Sequence, residues 1–206
     1  MMKELKIGRI TSKKDYEKIA ELIYSTDPYL YRDLFGDIEC AKRVLTILLD
    51  DPRSVFHKDN YYLALLGKNI VGISALYKNT LKWDDSVVRN AFYEAKCKCP
   101  ESFDTVSKYF WSVFDYVTTG ISACNVTVLD GYRSNGIGTF LLEHLIMASG
   151  NATIDLNVIA DNEPAVKLYA KHGFKVEEEY EDYGGFGNPP VMCLKMSRKN
   201  KNEGSE

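Results

Sequence analysis

The chain is predicted to fold as an α/β or α+β domain, a sheet with helices on its faces, and three observations predict it. The second half alternates strand-like and helix-like segments, ISACNVTVLD, GIGTFLLEHLIMAS, ATIDLNVIA, EPAVKLYAKH, FKVEEEYEDY and VMCLKMS, which calls for strands covered by helices. The first half supplies amphipathic helices and a β-hairpin. A length of 206 residues with 45% hydrophobic and 27% charged residues suits one domain that buries roughly 70% of its unfolded surface.

In chain order, LKIGRIT (5–11) alternates like a short strand, and SKKDYEKIAELIYST places Ile19, Leu22 and Ile23 at helical spacing. Asp27-Pro28 is predicted to stop that helix. DIECAKRVLTILLDD sets Ile38, Ala41, Val44, Leu45 and Leu48 on one helical face and ends before Pro52. NYYLALLG and NIVGISALYK read as strands joined across Gly67-Lys68-Asn69, a hairpin turn. Residues 79–120 are too long for a plain connector. Their segments DSVVRNAFYEAK and FDTVSKYFWSVFDYV are helical in pattern, and Phe103, Tyr109, Phe110, Trp111, Phe114 and Tyr116 make the second unusually aromatic. We read this as a helical insertion within a single domain of residues 1–198, followed by a polar, disordered tail at 199–206.

The formal net charge is −3, so there is no bulk attraction to nucleic acid. MMKELKIGRI is too charged for a signal peptide, and no apolar run approaches a membrane span. These features predict a cytoplasmic protein that contacts neither membrane nor nucleic acid. The five cysteines, Cys40, Cys97, Cys99, Cys124 and Cys193, are odd in number, which fits free thiols in a reducing compartment. Cys97 and Cys99 form a lone C-x-C, and His57, His144 and His172 are scattered, so no metal site is expected.

The most informative stretch is GYRSNGIGTFLLEHL, residues 131–145. It follows a strand and opens a helix whose sheet-facing stripe is Ile137, Leu141, Leu145 and Ala148. The first N–H groups of that helix lack intrahelical partners. Gly136 and Gly138 leave those groups uncovered, and Arg133 adds positive charge beside the positive helix end. Such a site favours a phosphate; alternatively, the glycines serve only a tight turn with close packing. The nucleotide-hydrolase pattern fails because Ile137 follows Gly136, and the dinucleotide pattern fails because Leu141 occupies its third glycine position.

What fits is R-x-x-G-x-G after an extended Val126-Thr127-Val128: Arg133-Ser134-Asn135-Gly136-Ile137-Gly138. Further on comes NEPAVKLYAKHGF, with Asn162, Leu168, Tyr169, Gly173 and Phe174 in order. With these two segments the chain resembles the GNAT superfamily of acetyl-CoA-dependent N-acetyltransferases. The resemblance covers roughly residues 5 to 197 apart from the insertion. It implies a mixed, mostly antiparallel central sheet flanked by helices, with the insertion between the third and fourth strands. It also implies acetyl-CoA as co-substrate, with its pantetheine arm along the edge at Val126 to Val128. Its pyrophosphate would lie on Arg133, Ser134, Asn135, Gly136, Ile137, Gly138 and Thr139, and Asn162 would contact the cofactor from the next helix. Tyr169 would be the catalytic acid toward the thiolate, and the Val128 N–H a donor to the oxyanion of the tetrahedral intermediate.

One position departs from the family pattern. Where several members carry a glutamate general base, this chain has Asn157, which cannot accept a proton at neutral pH. Asp155, on the same strand face, is an alternative base, as is a water chain. The expected function is acetyl transfer to a primary amine of a small molecule or protein; the alternative is a non-catalytic acyl-CoA-binding module. In the family, the acceptor is chosen by the first helices, their loop and the connection that here carries the insertion. There Tyr29, Tyr31, Arg32, Asp33, Phe35, Trp83, Asp84 and Asp85 suit either a cationic amine or a solvated loop. The aromatic insertion would cover the acceptor site or pack against a second subunit of a homodimer.

Overall fold

The computed structural model describes residues 4–78, 80–115, 120–182 and 190–199. Among them a seven-stranded sheet runs in the order β1-β2-β3-β4-β5-β7-β6. Its strands are β1 (Leu5–Gly8), β2 (Tyr61–Leu66), β3 (Asn69–Lys78), β4 (Gly120–Val128), β5 (Thr153–Ile159), β6 (Lys175–Asp182) and β7 (Val191–Arg198). Every neighbouring pair is antiparallel except β4 with β5. The mixed, mostly antiparallel sheet with flanking helices is therefore as expected. The predicted polar tail falls largely at 200–206, outside the described residues, as does Tyr116.

One face of the sheet carries α1 (Tyr16–Thr26), α2 (Pro28–Phe35), α3 (Ile38–Leu48), α4 (Asp85–Glu94) and α5 (Phe103–Asp115). The opposite face carries α6 (Ile137–Ala148) and α7 (Glu163–Lys171). The helix α2 corrects the expectation that Asp27-Pro28 merely ends a helix. Asp27 Oδ1 accepts the Leu30 N–H at 3.0 Å, and Pro28 occupies the first turn, where its missing N–H costs nothing. The same dipeptide thus stops α1 and starts α2.

The insertion forms α4 and α5, between the third and fourth strands, and its side chains enter the core shared by α1, α2 and α3. Trp83 is fully buried and stacks on Phe110 with ring centroids 4.4 Å apart. Its indole N–H donates to Asp85 Oδ1 (2.6 Å) and Ser107 Oγ (2.8 Å). Phe92 and Phe103 meet edge to face, and Arg89 pairs with Asp104 across the two helices.

On the other face Ile137, Leu141, Leu142 and Leu145 of α6 are buried. The predicted stripe needs one correction: Ala148 is exposed, while Leu142 and Ser149 point inward. Eleven residues bring Ala148 back to within about 20° of Ile137, so its exposure goes with its place as the last residue of α6 rather than with a drift of the stripe.

Candidate acyl-transfer site

The site is made by two neighbouring strands that part. β4 and β5 pair only from Gly120–Ser122 against Thr153–Asp155. Beyond that point β4 stays on β3 as far as Val128, and β5 stays on β7 as far as Ile159. The two therefore open into a wedge. On the β3 side a register shift sets Asn125 and Val126 against the single residue Ser74, a β-bulge. Past the bulge the Leu129 N–H bonds to the Val71 carbonyl at 3.0 Å. In an antiparallel ladder bonding alternates residue by residue, so the Val128 N–H faces away from β3, into the wedge.

A cavity of about 230 Å³ occupies this wedge. Cys124, Val126, Asn157, Asn162 and Tyr169 line its strand and α7 side. Tyr31, Phe56, Tyr77, Tyr109 and Phe110 line the side toward α1, α2 and α5. Tyr169 is buried, its ring 5.9 Å from that of Phe174. Burial, followed by the neighbouring Cys124 thiol, pushes its hydroxyl up to about 12. Burial likewise pushes the Cys124 thiol up to about 12, so it is not a thiolate at neutral pH. Asn162 and Tyr169 both reach the cavity from one side of α7, and Asn162 Oδ1 also caps that helix at the Ala165 N–H (3.3 Å).

The glycine-rich turn lies at the start of α6. The helix's first backbone bond runs from the Phe140 N–H to the Gly136 carbonyl at 2.9 Å. The N–H groups of Ile137, Gly138 and Thr139 thus precede the helical ladder. Gly136 caps the helix in a left-handed conformation (φ 76°) with open space beside it, and Ser134 is also left-handed (φ 63°). Ile137 offers only its backbone, because its side chain is buried against Ala64, Val71 and Leu141. The turn braces itself: Asn135 donates to the carbonyls of Tyr132 (3.2 Å) and Arg133 (3.0 Å). Arg133 Nε donates to the Val128 carbonyl at 3.2 Å, and its guanidinium pairs with Asp130 at 2.8 Å. The expected free positive charge is therefore partly matched, in an exposed pair of small energetic value.

Of the acceptor residues expected from sequence, only Tyr31 lines the cavity. Phe35 and Trp83 are core side chains, Asp84 caps α4, and Asp85 serves Trp83 and Ser107. Asp33 is buried with Arg32 3.7 Å away, and Tyr29 is exposed under the Arg32 guanidinium. Asp155 is buried where β4 and β5 are still paired, and the cavity lining holds Asn157 instead. Sequence reasoning missed Phe56, Tyr77 and Asn125; an asparagine within the apolar β4 run, where its strand propensity is poor, was the available signal.

Parted parallel strands facing a glycine-capped helix start are the layout that the resemblance implied for an acyl-CoA donor. A family model described as an acetyltransferase (GNAT) domain matches residues 106–176. Over those residues, about a third of the chain, the protein is similar to that family, and it shares its fold with solved acetyltransferases. An N-acetyltransferase from Staphylococcus aureus Mu50 aligns at a TM-score of 0.66 and 18% identity, over 93% of this chain and 99% of that one. Arabidopsis thaliana Naa50, solved with the bisubstrate analogue CoA-Ac-MVNAL, aligns at a TM-score of 0.53 and 18% identity, over 95% of this chain and 99% of its own. Cysteine-rich protein 2-binding proteins of Mus musculus and Homo sapiens are each 44% identical over 52 residues, 25% of this chain. The matched segment spans 6% of the length of those curated relatives.

Proposed function

We propose that the protein transfers the acetyl group of acetyl-CoA directly to a primary amine of a small molecule or protein. The observation that carries this reading is the wedge itself: the open edge of β4 faces a cavity that Tyr169 lines from the opposite side. Main-chain groups of Val126 and Val128 would receive the pantetheine arm as an added strand. The N–H groups of Ile137, Gly138 and Thr139, with Arg133, Ser134, Asn135 and Gly136 shaping the turn, would hold the pyrophosphate, and Asn162 would meet the cofactor from α7.

A neutral amine attacks the thioester carbonyl, and a tetrahedral intermediate forms. Its oxyanion accepts the Val128 N–H, which the ladder already points into the wedge. The C–S bond then breaks toward Tyr169. A hydroxyl held near 12 stays protonated throughout the neutral range, so Tyr169 serves as hydrogen-bond donor to the departing thiolate, whose own reference value is about 8.5. The amine proton leaves through water, since Asn157 cannot take it.

The experiment is direct. Purified protein is incubated with acetyl-CoA and a panel of polyamines, amino acids, aminoglycosides and peptides, and free thiol is followed. Acceptor-dependent thiol release supports the enzyme. Asn157 favours a second reading, a non-catalytic acyl-CoA-binding module; calorimetric binding without acceptor-dependent release would establish that module instead. No change in melting temperature at millimolar acetyl-CoA would reject both.

A further inference from the structure

Asn125 is one of the non-glycine residues with left-handed backbone among the described residues, at φ 50°, and it lies inside a strand. Asparagine tolerates that region better than most residues. Its side chain is fully engaged. The amide donates to Thr26 Oγ1 (2.9 Å) and Tyr31 Oη (2.8 Å), and the carbonyl accepts the Tyr77 hydroxyl at 3.1 Å. Tyr77 in turn lies 3.0 Å from the Tyr61 hydroxyl. Burial raises all three tyrosine hydroxyls well above their usual value, so they remain protonated partners.

The placement is not that of a regular strand. Cys124 pairs with Ala75, a core residue on the α1–α5 face, so an ordinary residue 125 would point to the opposite face. The bulge and the left-handed turn bring Asn125 round to α1 and α2 as well. The extra residue also moves the pairing by one: 121 to 124 pair with 78 to 75, whereas 127 and 128 pair with 73 and 72. Were the bulge straightened, so that the register of 121 to 124 ran on, Thr127 and not Val128 would stand opposite Gly72. The bulge therefore decides which N–H faces the wedge, and Asn125 ties that bulge to Thr26 and Tyr31 at the junction of α1 and α2.

We infer that Asn125 is a positioning residue, which holds the Val128 N–H on the acyl carbonyl and couples that donor to the Tyr31 side of the cavity. The inference rests on the acetyl-transfer reading. It is tested on the full chain with Asn125→Gly, which keeps the left-handed backbone and deletes the side chain, and with Tyr61→Phe, which trims the far end of the same network. Carbonyl-labelled acetyl-CoA is followed by carbon-13 NMR, alongside kcat and KM. In wild type the carbonyl resonance should move downfield on binding. Asn125→Gly should lose most of that displacement and lower kcat by about tenfold or more, with KM for acetyl-CoA little changed; Tyr61→Phe should keep both. Should Asn125→Gly not fold, Asn125→Asp retains the left-handed preference but replaces the two amide donors, and the same comparison applies. A full carbonyl displacement and full kcat in the Asn125 variant, or wild-type binding with no displacement, overturns the inference. Absence of acetyl-CoA binding by wild type instead overturns the acetyl-transfer reading on which it stands.

Discussion

Gly138→Ala separates a glycine kept for packing from one kept for a ligand. Gly138 sits in the first turn of α6 with ordinary helical backbone, and an added Cβ would lie 3.5 Å from Leu168 Cδ2, a normal van der Waals contact. The fold has no reason to reject alanine there. Replacing glycine by alanine at a compatible position typically stabilises by about 0.4–1 kcal/mol, which for a domain of this size raises the melting temperature by roughly 1–4 °C. If the backbone of this turn receives the pyrophosphate, the same methyl group stands where the ligand must approach. Acetyl-CoA affinity should then fall by about tenfold or more, equal to at least roughly 1.4 kcal/mol. Thermal melts of the apo protein and calorimetric titration with acetyl-CoA measure the two effects separately. A variant that is more stable and binds acetyl-CoA with undiminished affinity refutes the phosphate-cradle argument and leaves Gly138 as a packing residue.

The remaining predictions concern single groups. Gly136→Ala should act oppositely on stability: the space beside Gly136 is open, but φ of 76° strains any L side chain, so unfolding in urea should show a loss of about 1 kcal/mol. Tyr169→Phe keeps the ring against Phe174 and removes the hydroxyl; losing a hydrogen bond to a developing thiolate, about 1.5–3 kcal/mol, should lower kcat by roughly tenfold to 10²-fold with little change in KM for acetyl-CoA. An unchanged kcat with a good acceptor would take Tyr169 out of the mechanism. Gly72→Ala would set a Cβ 2.7 Å from the Thr127 carbonyl oxygen and 3.2 Å from Leu141 Cδ1. The backbone there cannot yield cheaply, so a loss of about 1–3 kcal/mol is expected, and a variant as stable as wild type would contradict it. The hydroxyls of Tyr16 and Tyr169 titrate near 12, and those of Tyr31, Tyr61 and Tyr77 are also raised by burial. Folded values above the unfolded reference of about 10 mean that this stabilisation is complete below pH ~10 and lost as pH rises through the folded values. Phenolate absorbance should therefore show these tyrosines silent at pH 10.5 in folded protein and ionised after unfolding; normal titration of all tyrosines in the folded state would refute the assignment.

Most of the fold was legible because its elements carry unambiguous periodicity. The α3 stripe, the hairpin through Gly67 and Lys68, and the strand–helix alternation from 120 onward all stand where their patterns put them. The Gly136 turn was legible as chemistry, since a glycine cap after an extended strand and before an apolar stripe leaves backbone donors in the open. What failed were residues with two readings. Asp27-Pro28 is both a stop and a start, and only the Asp27 hydrogen bond to Leu30 decides for a new helix. Trp83, Asp84 and Asp85 look like a cation site as a string of letters, yet the indole N–H consumes Asp85 and the helix end consumes Asp84. The aromatic side of the cavity was hidden because it is assembled from Phe56, Tyr77 and Phe110, three separate segments joined only by tertiary packing.

That assembly limits how the protein can change. Tyr31, Phe56 and Phe110 face the cavity and at the same time belong to the core that α1 to α5 share, each less than a tenth exposed. Widening the aromatic end of the cavity by trimming one of these rings would leave a void costing about 3–5 kcal/mol, a large part of the roughly 5–15 kcal/mol that holds a domain of this kind together. Asn157, by contrast, is exposed at the opposite wall and can vary at little structural cost. Under the proposed function, acceptor choice would be inherited with the folding of the chain, and laboratory evolution toward a bulkier amine would have to begin from a stabilised background.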